Sequence, residues 1–192
     1  MSLAVNHQPV HRPATYQDVI DAPADKVAEI VGGTLYLHPR PRFRHSHAIG
    51  AVGTELIALF HKGRGGPGGW WILIEPEVHL GDDVFVPDVV GWRRERMPEF
   101  PADAAFGTLV PDWVCEVLSP STRTFDLTAK RAAYAARGVE HLWLVDPEAR
   151  TLEAFRLAAG AWTLTAALAG DTEARVAPFD AIAFNLADLW VD

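Results

Sequence analysis

Residues 112–146, DWVCEVLSPSTRTFDLTAKRAAYAARGVEHLWLVD, contain the elements that determine the fold class. The stretch begins with the apolar run DWVCEVL and ends with a second one, HLWLVD, and both are typical of buried β-strands. Between them, residues 123–137 have helical character, and Gly138 suits the left-handed conformation that ends a helix. A helix that connects two strands in this way places them parallel in one sheet. The stretch therefore predicts an α/β fold.

The segments on either side of this crossover predict antiparallel strands. VAEIV and TLYL flank Gly32-Gly33, which favours an N-terminal β-hairpin, and residues 46–60 have the apolar spacing of a helix. WWILI, EVHL and VFVPDVVGW then indicate three strands of a meander. TLEAFRL and AWTLTAAL, on either side of Gly160, predict a C-terminal β-hairpin. We therefore expect a central, curved, mixed sheet flanked by helices, with β-hairpins at both ends.

Composition and length describe an ordinary folded protein. The chain has 192 residues, 49% of them hydrophobic, and a formal net charge of −8. We expect a flexible N-terminal arm over residues 1–14 and a single domain over residues 15–192. The single cysteine, Cys115, excludes an internal disulfide, and the first residues lack the apolar core of a secretory signal, so we expect a cytoplasmic protein. The apolar runs are shorter than the roughly 18 residues of a membrane span.

Two carboxylates lie in apolar, strand-like segments. Asp88 has apolar neighbours on both sides, and Glu116 lies between Cys115 and Val117. Burying a charge among such residues is costly unless it has a partner. Two carboxylates about 4 Å apart repel each other by roughly 4 kcal/mol at an effective dielectric constant of 20. Such a pair requires a positive partner, either a hard divalent cation such as Mg²⁺ or a buried lysine or arginine.

The helix after Glu116 contains a candidate for that positive charge. Asp126 and Lys130 are four residues apart and therefore lie on one helical face, within reach of the same cleft. An ordinary surface ion pair explains the same spacing. Asp126 either positions Lys130 or caps the helix.

These segments resemble the Uma-two family of restriction-endonuclease-like proteins, a branch of the PD-(D/E)XK nuclease superfamily. The resemblance rests on PDVVGW at residues 87–92, on EVLSPSTR at residues 116–123 with the D, K, Y, GV and LVDP that follow it, and on EIVGGTLYLHPRPRFRHS at residues 29–46. It covers roughly residues 15–155. It implies a restriction endonuclease-like fold and an enzyme that hydrolyses DNA.

The resemblance also implies roles for individual residues. Asp88 and Glu116 would coordinate Mg²⁺ or Mn²⁺ beside the scissile phosphate, with the backbone carbonyl of Val117 as a further ligand. The superfamily pattern normally has a lysine two residues after the second acid, where this chain has Leu118. Lys130, on the next helix, is the expected substitute at the attacking water.

Other polar residues have both a functional and an ordinary interpretation. Glu29 matches the hairpin glutamate of the family and assists the reaction, or is solvated. His45 steers a phosphate or caps the first helix. Glu77 lies on a predicted strand next to the one with Asp88 and faces either the cleft or solvent. His38 and His47 fit surface positions, since no cysteine or carboxylate accompanies them at a zinc-like spacing.

Two short basic loops interrupt an otherwise acidic chain, and both are candidates for binding a phosphate backbone. The first contains Arg40, Arg42 and Arg44, and the second contains Arg93, Arg94 and Arg96. Net negative charge argues against a protein that coats nucleic acid by bulk electrostatics, but it leaves room for such local sites.

The sequence favours a Mg²⁺-dependent DNA endonuclease. A homodimer is expected because cutting both strands often requires two copies, and the terminal hairpin offers an edge for pairing. The alternative is a catalytically silent nuclease fold that binds nucleic acid or a protein partner. Two observations favour that alternative: position 118 is leucine instead of the lysine of the superfamily pattern, and the chain is acidic overall.

Overall fold

The computed structural model describes residues 12–191, so residues 1–11 of the predicted arm lie outside the described part. The strands are β1 (Lys26–Val31), β2 (Thr34–Pro39), β3 (Trp70–Ile74), β4 (Val78–Leu80), β5 (Asp83–Phe85), β6 (Val89–Arg93), β7 (Trp113–Val117), β8 (His141–Asp146), β9 (Thr151–Ala158), β10 (Ala161–Ala169), β11 (Glu173–Ala174) and β12 (Phe184–Asn185). The helices are α1 (Tyr16–Ile20), α2 (Phe43–Leu56), α3 (Arg123–Phe125) and α4 (Arg131–Arg137). A π-helical turn extends α2 over Ile57–His61, another joins α3 to α4 over Asp126–Lys130, and a 3-10 turn covers Leu186–Leu189.

A six-stranded sheet contains the predicted crossover. Its strand order is β10-β9-β8-β7-β6-β3. β7 and β8 pair in parallel, with Glu116 opposite Leu144, and the other neighbouring strands pair antiparallel. The helical segment between them ends at Gly138, whose φ of 80° is left-handed. The predicted strand–helix–strand unit, the mixed sheet and the C-terminal hairpin of β9 and β10 are confirmed.

A four-stranded antiparallel sheet, of order β2-β1-β5-β4, forms a second layer. Its first two strands are the predicted N-terminal hairpin. The turn between them uses the left-handed φ values of Gly32 and Gly33, 58° and 75°. The Gly32 amide also donates to the Asp83 carboxylate at 2.8 Å, which ties the hairpin turn to β5.

The predicted meander is wrong. VFVPDVVGW is not one strand, because it breaks at residues 86–88 into β5 and β6, which belong to different sheets, and β3 pairs with β6 rather than with β4. Pro87 has no amide hydrogen to continue a ladder. The Val86 amide donates to the side-chain carboxylate of Glu29 on β1 at 2.8 Å rather than to a backbone carbonyl. The break places Asp88 between the two sheets.

The side chains of β7 alternate between two core layers. On one face of the six-stranded sheet, Trp113, Cys115 and Val117 pack with α2 and with the C-terminal segment, residues 174–190. Val114 packs with α4 and with strands of the four-stranded sheet on the other face. Because side chains alternate along a strand, Glu116 points toward α4 and the four-stranded sheet.

Aromatic packing holds the C-terminal segment against the first face. The Trp113 and Trp143 rings meet edge to face at 5.2 Å, and both contact Phe179. Burying each such side chain stabilises the fold by about 1.5–3 kcal/mol. Over residues 12–191, no helix combines the length and hydropathy that crossing a membrane requires.

Candidate active site

A pocket of about 390 Å³ opens where the end of β7, the break after β5, the N-terminal hairpin and the α3–α4 segment meet. Its lining includes five carboxylates, one lysine, two histidines and two arginines. These residues are Glu29, Glu75, Asp88, Glu116, Asp126, Lys130, His38, His45, Arg40 and Arg42.

Asp88 and Glu116 both line this pocket. Glu116 is buried on β7, with its side chain on the face toward α4. Asp88 follows the chain break, and its Oδ2 accepts a hydrogen bond from the Val117 amide at 2.7 Å. Two consecutive residues of β7 therefore bring the acids together: Glu116 is one of them, and the Val117 amide binds the other, Asp88.

Lys130 is the positive partner of these acids. Its Nζ lies 2.8 Å from Oε1 of Glu116 and 3.0 Å from Oε1 of Glu29, and its side chain is only 2% exposed. The interpretation of Lys130 as part of a surface ion pair is wrong. Of the two positive partners that the sequence allowed, a divalent cation or a buried basic side chain, the chain supplies the second itself.

Tyr134 is a further residue of the site and is not among the residues predicted from the sequence. Its hydroxyl donates to Oε1 of Glu116 at 2.6 Å, and its side chain is buried. Burial and the nearby Glu116 charge raise the pKa of this phenol well above its usual value, so it stays a donor at neutral pH. Tyr134 lies four residues after Lys130, so the two side chains share a helical face. This spacing is the sequence feature that relates Tyr134 to the site.

The charges of Glu116 and Lys130 depend on each other. Burial raises the pKa of Glu116 well above its usual value, while the Lys130 charge opposes this rise. Burial alone would lower the pKa of Lys130, but the charges of Glu116 and Glu29 outweigh it and raise that pKa well above normal. Lys130 therefore remains an ammonium ion that can donate hydrogen bonds but cannot accept a proton.

His45 contacts Asp88. Its Nε2 lies 3.4 Å from Oδ2 of that carboxylate. Burial disfavours the charged ring, but the hydrogen bond and charge of Asp88, together with the backbone of Val117, raise the pKa of His45 overall. Arg42, not His45, occupies the cap position of α2, so the interpretation of His45 as a helix cap is wrong.

His38 is buried rather than at the surface, so its predicted position is wrong. Its ring packs against that of Phe125 at 4.6 Å between centroids, Phe125 in turn packs against Tyr36 at 4.3 Å, and Nε2 of His38 lies 3.7 Å from Oε2 of Glu29. Burial lowers the pKa of His38 and keeps the ring neutral. The aromatic side chains beside His38 belong to β2 and α3. Their contact is tertiary, so the local sequence does not reveal it. His47 is exposed, as predicted.

Of two further candidates, one lies outside the pocket and one lies in it. Glu77 does not line the pocket and instead pairs with Nε2 of His79 at 2.7 Å. It precedes β4, which belongs to the four-stranded sheet, whereas Asp88 precedes β6 of the other sheet. Asp126 does line the pocket and is buried.

The two basic loops differ. In the second loop, Arg93 and Arg96 bind the buried Asp112 at 3.0 and 2.9 Å, and Arg94 stacks on the ring of Trp71. The arginines of the second loop therefore have structural partners within the protein. In the first loop, Arg40 and Arg42 line the pocket, whereas Arg44 is exposed outside its lining.

The donor set fits a hard divalent cation with few protein ligands. Within residues 12–191, no three His, Cys, Asp or Glu side chains are close enough to hold a metal ion by themselves. Mg²⁺ does not require such a cage, because proteins usually bind it through one or two carboxylates together with water and substrate phosphates. Asp88 and Glu116 supply two carboxylates, in a pocket that five acids, one lysine and two arginines line. The fit is to Mg²⁺ or Mn²⁺ rather than to zinc.

The pH dependence of stability provides a test of this crowding of acids. Burial raises the pKa of Asp126 to about 7, while Lys130 and Thr122 act in the opposite direction. An aspartate in an unfolded chain titrates near pH 4. Because the folded state holds the proton more tightly, the contribution of Asp126 to stability is present below about pH 4 and is lost as the pH rises to about 7.

We therefore expect wild type to lose more stability than Asp126→Asn between pH 5 and pH 8, by on the order of 2 kcal/mol. Urea unfolding at both pH values measures the difference. Asp103→Asn, at an exposed position, is the matched control and should behave like wild type. Identical pH dependence in wild type and Asp126→Asn would show that Asp126 is ionised throughout this range.

Comparisons with known proteins agree with this fold. The model of the Uma2 family, described as "Putative restriction endonuclease", matches residues 13–187. A solved chain from Anabaena variabilis ATCC 29413, described as "a putative nuclease belonging to DUF820", is similar to this chain at 21% sequence identity and a TM-score of 0.73, over 92% of this chain and 97% of that one. No curated protein gives a significant match. The predicted fold class, a nuclease-like mixed sheet flanked by helices, is confirmed, and the chain belongs to the Uma2 family of restriction-endonuclease-like proteins.

Proposed function

We propose that this chain is a divalent-metal-dependent endonuclease that hydrolyses DNA phosphodiester bonds in the pocket of Asp88 and Glu116. One observation carries the proposal: two acids from different segments line one pocket, and a buried lysine lies 2.8 Å from the second of them. Phosphodiester hydrolysis requires positive charge to stabilise the transition state and a group that orients water. This arrangement is suited to both needs.

Each residue has a distinct role in the proposal. Asp88 and Glu116, with the Val117 carbonyl, would hold Mg²⁺ or Mn²⁺, which neutralises charge on the phosphate when it is bound. Lys130 would turn toward the attacking water the donor that here makes its longest hydrogen bond, to the Val86 carbonyl at 3.5 Å. Glu29 positions Lys130 at 3.0 Å and also binds the Val86 amide, so it fixes the chain break next to Asp88.

Other parts of the proposal concern the whole molecule. Residues 15–192 act as a single nuclease-like domain, in the cytoplasm, with DNA as the partner. The active form is a homodimer. An edge strand supports pairing, because β10 lies at the end of the six-stranded sheet and its sequence, AWTLTAALA, contains no charged residue.

Cleavage assays test the proposal directly. Wild type is incubated with supercoiled plasmid and with single-stranded DNA in Mg²⁺, Mn²⁺ or EDTA. We expect nicked or linear products with metal and none with EDTA. Intact DNA under every metal condition, at protein concentrations that bind the DNA, would contradict the proposal.

A catalytically silent nuclease fold that binds nucleic acid or a protein partner is the second candidate. The observation that favours it is that Oε1 of Glu116 already accepts from both Lys130 and Tyr134. Calorimetry with Mg²⁺ separates the two candidates. Absence of metal binding together with retained DNA affinity supports the silent fold, and metal binding supports the nuclease.

A further inference from the structure

Phe43 is the most exposed large hydrophobic side chain among the described residues. Its side chain is 98% exposed at the first position of α2. No contact between this ring and another aromatic ring occurs within residues 12–191, so core packing does not explain it. The residue before it, Arg42, lines the pocket of Asp88. An unshielded aromatic ring therefore lies directly next to the rim of the candidate active site.

The sequence around Phe43 is basic, unlike the chain as a whole. Residues 30–54 include Arg40, Arg42 and Arg44 but no acidic residue, although the whole chain has a formal net charge of −8. Arg42 and Arg44 are exposed, and neither side chain forms a hydrogen bond or ion pair with the rest of residues 12–191. The Arg40 side chain, by contrast, donates to the Ala24 carbonyl at 3.0 Å. The residues on either side of Phe43 in sequence thus have exposed guanidinium groups without a partner in the described part of the chain.

An aromatic ring between free arginines matches the chemistry of an unpaired nucleotide. A base presents a π-face on which a ring stacks, and the phosphates on either side of it pair with guanidinium groups. In a duplex the bases are stacked on each other, so a ring at the protein surface reaches a base face only where the base is unpaired. The adjoining pocket places such a nucleotide next to the acids that are proposed to cleave the strand.

We propose that Phe43 stacks on an unpaired base while Arg42 and Arg44 bind the neighbouring phosphates, so that the enzyme prefers a single-stranded or locally opened DNA segment beside the cut. This inference rests on the proposed function for its substrate class. It adds a binding subsite outside the pocket and a preference for strand structure.

Binding measurements test the subsite independently of cleavage. Fluorescence anisotropy with a labelled single-stranded 20-mer and its matched duplex, in EDTA, compares wild type with Phe43→Ala, Phe43→Leu and Phe43→Trp. Ile20→Ala, which changes an exposed hydrophobic residue on α1 outside the pocket, is the matched control. A strand that contains 2-aminopurine reports stacking through fluorescence quenching.

We expect Phe43→Ala and Phe43→Leu to weaken single-strand binding on the order of tenfold and to abolish quenching. Phe43→Trp should retain both, and duplex binding should change little. Wild-type affinity in Phe43→Leu, or equal losses for strand and duplex, would overturn the inference. So would binding that requires Phe43 with anionic lipid vesicles but not with DNA.

The cleavage assay keeps the two proposals separate. If wild type cleaves DNA and Phe43→Ala cleaves and binds equally well, only the subsite is wrong. If wild type does not cleave with any metal but binds single strands in a way that depends on Phe43, the subsite stands and the nuclease proposal fails.

Discussion

Replacing Lys130 with methionine is expected to lower the free energy of unfolding by about 3–5 kcal/mol at neutral pH. Lys130 is fully buried between Glu29 and Glu116, and its ammonium group is the only side-chain cation within 3.0 Å of either acid in the described part of the chain. Methionine fills a similar volume but leaves two buried carboxylates without their partner. Urea unfolding followed by circular dichroism measures the loss.

Two comparisons identify the origin of that loss. Lys62→Met changes an exposed lysine and should shift stability by less than about 0.5 kcal/mol. Combining Lys130→Met with Glu116→Gln should recover part of the stability, because one uncompensated charge is removed. A loss below about 1 kcal/mol in Lys130→Met, or no recovery in the double variant, would mean that the lysine does not neutralise these acids.

Asp88→Asn and Glu116→Gln are each expected to reduce metal-dependent DNA cleavage by at least about 10²-fold. Both substitutions retain the shape of the side chain and remove the negative charge that a cation requires. In Asp88→Asn, the amide oxygen of the new side chain can still accept the hydrogen bond from the Val117 amide, so the fold around β7 should be preserved. Single-turnover cleavage of a labelled oligonucleotide at saturating Mn²⁺ measures the effect.

Glu77→Gln is the matched control for these variants. Glu77 is a carboxylate of the same region that pairs with His79 outside the pocket, so its substitution should leave the cleavage rate unchanged. Unfolding curves establish that every variant is folded at the assay temperature. Cleavage at the wild-type rate by both Asp88→Asn and Glu116→Gln would remove these acids from the mechanism.

The parts of the fold that the sequence predicts well are those specified by local signals. The β7–helix–β8 unit follows from two apolar runs with a helix between them, and Gly138 ends the helix because it adopts a left-handed φ. The division of the remaining strands between two sheets was not predictable in the same way. β3 pairs with β6 through a contact distant in sequence, and the break at Pro87 that frees β5 for the other sheet depends on a hydrogen bond to Glu29.

The candidate site shows the same division. Asp88, Glu116 and Lys130 stand out because a charge in an apolar segment requires a partner. Tyr134 and His38 do not stand out, because a tyrosine on an apolar helix face fits an ordinary core position, and the burial of His38 depends on Phe125. The pairing of Glu116 with Lys130 likewise depends on tertiary contacts, which the local sequence does not reveal.

The most direct test of the proposed metal site is a crystal soaked in Mn²⁺ and measured at a wavelength where manganese scatters anomalously. We expect one anomalous peak in the pocket, bonded to a carboxylate oxygen of Asp88 and one of Glu116. A peak bound elsewhere, or a soaked crystal in which Glu116 still binds only Lys130 and Tyr134 with no anomalous density beside Asp88, would contradict it.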